Sequence, residues 1–376
     1  MAHIAIFCDG TWNSATSNSR THVHRLSEAC AQSGSQKVMY FPGVGTGTGM
    51  ISDVGRWLNR FGGGVFGWGL NRNIRIAYQD LCELYQPGDK IMIFGFSRGA
   101  YTARSLVGLV RKCGILKEPT PVNLRRAFKI YRARGDDNKP DSDHIWQERR
   151  SLSPDYATSA EDVIRRNDHS YLVRITYVGV FDTVGALGVP TSILGPIAKL
   201  WNGRYSFHDT SLSSLVEQAR HAVALDEKRV LFEPSLWGNL RPNGDDPGLN
   251  RGDESDTRPY QQVWFAGNHS VIGGSSPEQG LAAASVDWIW QGAHALGLKL
   301  DPDYMVPNVP IDVGNDAPEI YELSVLYRLL PWLNMWRDGP TQMGDLHDTV
   351  RERATRLPNY RPKTIARVLP EFFQDS

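Results

Sequence analysis

Ser97, Asp182 and His269 are the residue types that together turn a hydroxyl into a nucleophile. A serine hydroxyl attacks poorly at neutral pH until an imidazole takes its proton, and the imidazole in turn needs a carboxylate to set its tautomer and stabilise its charge. Ser97 sits in Gly95-Phe96-Ser97-Arg98-Gly99, a GxSxG pattern whose glycines allow neighbouring backbone to press against a strained turn. The pattern alone is weak, because a chain with 36 glycines meets it by chance. Its context is stronger. The apolar run Ile91 to Phe94 predicts a buried strand, and the small residues Ala100, Ala103, Ser105 and Gly108 predict a helix behind it, with Ser97 at the apex. The plainer alternative is a serine that only caps that helix.

Asp182 follows the strand-like run Tyr171 to Phe181, and His269 follows the short apolar run Gln262 to Ala266. Taken singly, Asp182 reads as a helix N-cap and His269 as a loop histidine satisfying backbone groups. Taken with Ser97, they stand at the carboxyl ends of strands in the order serine, acid, histidine, which is the order of α/β-hydrolases. The oxyanion of such a reaction requires backbone donors. The residue after the nucleophile, Arg98, supplies one. Counting strands back places the second in the turn Asp9-Gly10-Thr11-Trp12, at Gly10 or Thr11, with Asp9 shaping the site. His221, expected in a helix near Asp226, and His208 beside Asp209 compete less well because neither follows an expected strand.

The elements needed to position these groups form an α/β fold: an α/β-hydrolase-like, mainly parallel central sheet with helices on both faces and helical insertions. Strands are predicted over 3–9, 37–42, 91–94, 171–181 and 262–266, and helices over 21–33, 70–85, 211–226 and 281–296. Residues 1–376 read as a single domain, with a helical insertion at 117–170, a loop or cap region at 188–260 and a C-terminal helical extension at 300–376. Apolar stretches at 190–201 and 320–336 suit either a lid or interfacial helix, or core packing. Glycines 43, 45, 47 and 49 lie in a loop with no P-loop lysine after it and no GxGxxG opening a helix, so no nucleotide site is read there. A second glycine-dense run, 62–69, interleaves with aromatic residues and suits a greasy surface or close backbone packing equally. The acidic loop 244–256 lacks EF-hand spacing.

With 41 basic and 41 acidic residues, net charge indicates neither nucleic acid nor an anionic membrane as partner. The start of the chain has no basic n-region, and no apolar run approaches 18 residues, so a soluble protein, cytoplasmic as synthesised, is expected. The four cysteines are widely spaced and predict neither a disulfide framework nor a zinc site. No cofactor and no metal is expected.

Five segments carry a resemblance: Phe7-Cys8-Asp9-Gly10-Thr11-Trp12-Asn13, Tyr40 to Thr46, Gly95 to Arg104, Gly179 to Gly185 and Trp264 to Ser270. In this order they resemble the bacterial and fungal α/β-hydrolase family long filed as the domain of unknown function DUF2235, which includes the type VI secretion phospholipase effectors called Tle1. Ala219 to Arg229 and Leu346 to Pro362 are similar to further segments of that family. The resemblance implies a serine esterase with Ser97, Asp182 and His269 as its triad. In the effector branch it implies release of fatty acid from glycerophospholipids, peripheral membrane contact, export without a signal peptide, and a secretion-apparatus or immunity partner. One departure stands out. The family usually has His-Ser-Asp-Val-Gly-Gly, whereas this chain has His269-Ser270-Val271-Ile272-Gly273-Gly274, so Val271 replaces a loop carboxylate. That change leaves a non-catalytic binding or regulatory protein on the same fold as the alternative function, and an amidase or peptidase would use the same three groups.

Overall fold

In a computed structural model, the structure describes residues 2–10, 20–31, 33–43, 64–168, 170–185, 211–277, 279–301, 309–314, 334–368 and 372. Six parallel strands form the central sheet: β1 (His3–Cys8), β2 (Gln36–Phe41), β3 (Lys90–Phe96), β6 (Ile175–Phe181), β7 (Val216–Ala224) and β8 (Tyr260–Phe265), in the spatial order β2-β1-β3-β6-β7-β8. Strands β4 (Tyr156–Ala157) and β5 (Tyr171–Leu172) pair separately.

β3 and β6 are nearly continuous apolar runs because both faces of the sheet are covered. Ile91 and Ile93 point to one face with Val178 and Val180, where they meet α2 (Gly64–Leu84) and α3 (Arg98–Cys113). Met92 and Phe94 point to the other face with Tyr177 and Phe181, where they meet α1 (His22–Ala29) and, through Ile289 and Ala293, a long helix over Gln279–Ala295. This alternation has the period of two that strand geometry imposes. The 117–170 stretch contains helices α4 (Pro121–Arg132), α5 (Asp143–Leu152) and α6 (Ala160–Arg166). There Asp162, almost fully buried, accepts from Arg149, Arg166 and Trp146, and so satisfies its own charge within the insertion.

Two sequence expectations are corrected. Residues 211–226 contain strand β7, not a helix. Leu215, Ala219, Ala222 and Val223 suit one face of a helix, but β7 runs between β6 and β8, and the ladders on its two sides override that periodicity. The run 171–181 is two strands, β5 and β6, which belong to different sheets. The glycine loop 44–63, the apolar stretches 190–201 and 320–333, and His208 with Asp209 lie outside the described residues.

Register is what gathers the site. Cys8 is level with Gly95, Phe96 with Phe181, Phe181 with Ala222, and Ala224 with Phe265. The residues that follow β3, β6 and β8 therefore leave the same edge of the sheet, the edge at which ligands bind in open α/β sheets.

Candidate active site

Ser97 leaves β3 at φ 56° and ψ −122°, a strained conformation for a residue with a side chain, and α3 begins at the next residue. Its amide donates to the Phe181 carbonyl at 3.0 Å, which ties the turn to the end of β6. A Cβ at Gly95 would lie 2.6 to 2.7 Å from the backbone of Ala100 and Gly99, so the turn needs glycine at that position. Although Ser97 stands where a helix cap would, its hydroxyl makes no capping bond. It lies instead 2.8 Å from Nε2 of His269.

His269 opens α7 (His269–Ile272), a single turn whose cap, Asn268, accepts from the amides of Ser270 at 2.9 Å and Val271 at 3.0 Å. Phe96 and Phe232 stand 4.7 Å from the imidazole centroid and fix the ring between them. Nδ1 lies 2.6 Å from Oδ2 of Asp182. With a carboxylate at Nδ1, that nitrogen donates, and neutral Nε2 is left to accept from the Ser97 hydroxyl. The amide of His269 donates to Oε2 of Glu227 at 3.2 Å, and Glu227 is in turn held by Arg229.

Asp182 is fully buried, at φ 36°, and Thr183 to Gly185 directly after it are not helical, so the N-cap reading does not apply. Its carboxylate accepts from the Ala224 amide at 2.9 Å and from Arg337 through both oxygens, Nη1 to Oδ1 at 2.7 Å and Nη2 to Oδ2 at 2.9 Å. Burial by itself would raise the Asp182 carboxyl. The Arg337 guanidinium and the His269 hydrogen bond override it and hold the group well below the ordinary carboxylate range. Burial lowers His269 below its usual 6.5, and the Asp182 carboxylate only partly offsets this. The base is therefore neutral, and able to accept a proton, at neutral pH.

Asp9 is also buried. It accepts from Thr21 Oγ1 at 2.8 and 2.9 Å, from the Tyr40 hydroxyl at 2.6 Å and from the Gly10 amide at 2.6 Å. Burial raises its carboxyl, against the pull of those hydrogen bonds. The Gly10 N–H thus donates to Asp9, and Thr11 lies outside the described residues. Arg98 opens α3 beside Ser97. His221 lies not in a helix but in β7, fully buried, accepting from the Thr183 amide at 3.1 Å and bonded to Gln262.

Val271 is a buried apolar side chain, its Cγ1 2.5 Å from where a Cβ on Gly267 would stand. It is 2% exposed and belongs to an apolar cluster with Trp264, Leu281, Val350 and Tyr360. Sequence reasoning missed Arg337, Glu227 and Phe232 as neighbours of the site. Glu227 had a signal in the resembling segment Ala219 to Arg229, whereas Arg337, 155 residues beyond Asp182, had none.

Comparison with known proteins decides the family. The profile described as type VI secretion, phospholipase effector Tle1-like, catalytic domain matches residues 2–292. The chain belongs to this Tle1-like family. It is also 31% identical over 206 residues to an uncharacterised protein of Saccharomyces cerevisiae, covering 53% of this chain and 27% of the yeast protein. Among solved structures it is similar to an uncharacterised protein from Pseudomonas aeruginosa, with TM-score 0.42, 16% identity, 81% of this chain and 48% of that one covered. It is also similar to the Tle1 effector bound to the VgrG spike of the type VI secretion system, with TM-score 0.35, 17% identity, 73% of this chain and 52% of that one covered. The chain spans about a quarter of the yeast relative and about half of each solved chain. The yeast relative shows that sequences like this Tle1-like chain are not confined to bacteria. Among the described residues no helix is long and apolar enough to cross a membrane.

Proposed function

We propose that the chain is a serine hydrolase that cleaves carboxylic esters, with acyl esters of phospholipids as the substrate class. The observation that carries the reading is the unbroken line Ser97 Oγ, His269 Nε2, His269 Nδ1, Asp182 Oδ2, with contacts of 2.8 and 2.6 Å. In it, Ser97 attacks the ester carbonyl carbon as its proton passes to Nε2 of His269. Asp182 stabilises the resulting imidazolium, and backbone donors, with Arg98 N–H the first of them, take the oxyanion. The imidazolium then protonates the leaving alcohol, and an acyl group remains on Ser97. Water, deprotonated by His269, attacks that acyl group, and collapse of the second tetrahedral intermediate returns the serine.

The lipid substrate rests on membership of a phospholipase effector family. Contact with a lipid surface, export without a signal peptide, and a secretion-apparatus or immunity partner belong to the same reading.

The test compares hydrolysis of p-nitrophenyl esters and of phosphatidylcholine vesicles by the wild type and Ser97→Ala. The wild type is expected to release product and to label with a fluorophosphonate probe at Ser97; the variant is expected to do neither. Equal hydrolysis by the two proteins would exclude Ser97 as nucleophile. An unlabelled, inactive wild type would favour the binding protein on the same fold.

A further inference from the structure

The Asp182 carboxylate has four donors and no accessible surface. His269 Nδ1 and Arg337 Nη2 meet Oδ2, while the Ala224 amide and Arg337 Nη1 meet Oδ1. The guanidinium is itself anchored to backbone, Nη1 donating to the Ala224 carbonyl at 2.8 Å and Nη2 to the Phe232 carbonyl. Ala224 ends β7, and Phe232 is one of the two rings against the imidazole. Arg337 thus joins the acid, the strand beside it and the wall of the base in one planar fork, a geometry lysine cannot reproduce.

The segment carrying Arg337 is held in place. The Met335 amide donates to the Lys228 carbonyl at 2.8 Å, Asn334 bridges to Arg229, and the Lys228 ammonium lies 4.1 Å from the Trp336 ring centroid. Residue 337 lies beyond the 2–292 stretch that matches the family profile. The site is therefore completed by chain outside that stretch.

We propose that Arg337 is a positioning residue of the proposed hydrolase, clamping Asp182 in the orientation that receives His269 and moderating the basicity of that imidazole. The proposal rests on the reading of Ser97, His269 and Asp182 as the reacting set. Among the described residues, charged groups from several elements lie near His269. Asp182 meets its Nδ1, and Glu227 meets its amide. Arg229 is fixed by Glu227 and lies 3.9 Å from the Phe232 ring centroid, while Asp226, one residue away, is occupied by the Gly267 amide and the Tyr360 hydroxyl. Phe96 at the end of β3 and Ser97 just after it face the ring. Asp182 without Arg337 would be a full negative charge against the imidazole and would favour its protonated, inactive form. With Arg337 bound through both oxygens, the pair is close to neutral, and His269 stays an acceptor to lower pH.

The experiment measures kcat/KM against pH on a p-nitrophenyl ester for wild type, Arg337→Lys and Arg337→Met, with folding checked by thermal melting. Arg337→Met is expected to lose about 10- to 100-fold in plateau kcat/KM through misorientation. Its acid limb is expected to move up by about one pH unit as the cation is lost. Millimolar methylguanidinium is expected to restore part of its activity and none of that of Ser97→Ala. Arg337→Lys keeps the charge and loses the fork, so its acid limb should stay near wild type while kcat falls. An Arg337→Met protein with a lowered melting temperature but wild-type kcat and acid limb would make Arg337 merely structural and overturn the proposal. If Arg337→Met does not fold, wild-type kcat in Arg337→Lys overturns it equally. A wild type that neither turns over ester nor labels at Ser97 sinks the hydrolase reading itself, a result visible before any Arg337 variant is made.

Discussion

Gly99 stands so close to the turn after β1 that a Cβ on it would lie 2.1 Å from the carbonyl oxygen of Cys8 and 2.4 Å from that of Asp9. The first turn of α3 and the end of β1 are thus in backbone contact, which brings the Asp9-Gly10 turn to the nucleophile. Gly99→Ala has no cheap relief, because the obstacles are backbone atoms. It is expected to destabilise the protein by about 3 kcal/mol or more, at or beyond the usual range for overpacking, and to abolish ester hydrolysis in whatever fraction folds. Urea unfolding and active-site labelling measure the two effects; a fully active, equally stable Gly99→Ala would show that the contact can relax.

Asp182→Asn keeps the shape of the acid and removes its charge. An amide at this place can donate to His269 and so select the wrong tautomer, and it leaves the Arg337 cation without its anion. The expected outcome is a loss of about 10⁴-fold in kcat with KM little changed. A loss under tenfold would mean that Asp182 does not orient the base.

The pH dependence has two parts with separable causes. Burial holds His269 below 6.5, so kcat/KM should rise with pH through a midpoint below that value, with a plateau at neutrality. A midpoint above 7 would contradict this.

Stability should follow His22 and His221, each fully buried. Burial first, and then Arg25 beside His22 and Arg104 beside His221, pushes each down to about 3. In the unfolded chain both titrate near 6.5. Below that pH the unfolded state binds protons that the folded state refuses. The stability they contribute is therefore complete above about 6.5 and is lost progressively as pH falls towards 3. The loss at pH 5 is on the order of 2 kcal/mol for each histidine. Urea midpoints at pH 7.5 and pH 5 check it, and His221→Gln should flatten the slope.

Val271→Asp restores the carboxylate usual in the resembling family but puts it into an apolar cluster. It is expected to cost roughly 3 kcal/mol or more and to raise activity on no ester, because the described side chains of that cluster are hydrophobic. Val271→Ala should cost about 2 kcal/mol and leave kcat near wild type. A stable, more active Val271→Asp protein would mean that the loop turns the side chain towards substrate.

Local signals made much of the site legible. The glycines flanking Ser97 reflect backbone contacts within a few residues of the turn, and the apolar runs before Ser97, Asp182 and His269 reflect strands buried on both faces. Those features are written in neighbouring residues because strand formation and tight turns are decided over short stretches of chain. Strand β7 reads from sequence as a helix because its apolar spacing also suits one, and only β6 and β8 on either side decide between the two.

Sequence alone thus determined the α/β class, the family resemblance, and Ser97, Asp182 and His269 as the candidate reacting groups. Tertiary structure alone decided that Val271 is a core residue, that the Gly10 amide is turned to Asp9, and that Asp182 is clamped by Arg337. The physical reason is range. A strand, a turn or a motif is specified by residues close in sequence, whereas the partner of a buried charge is chosen by whatever the fold brings within 3 Å, and here that partner lies 155 residues away.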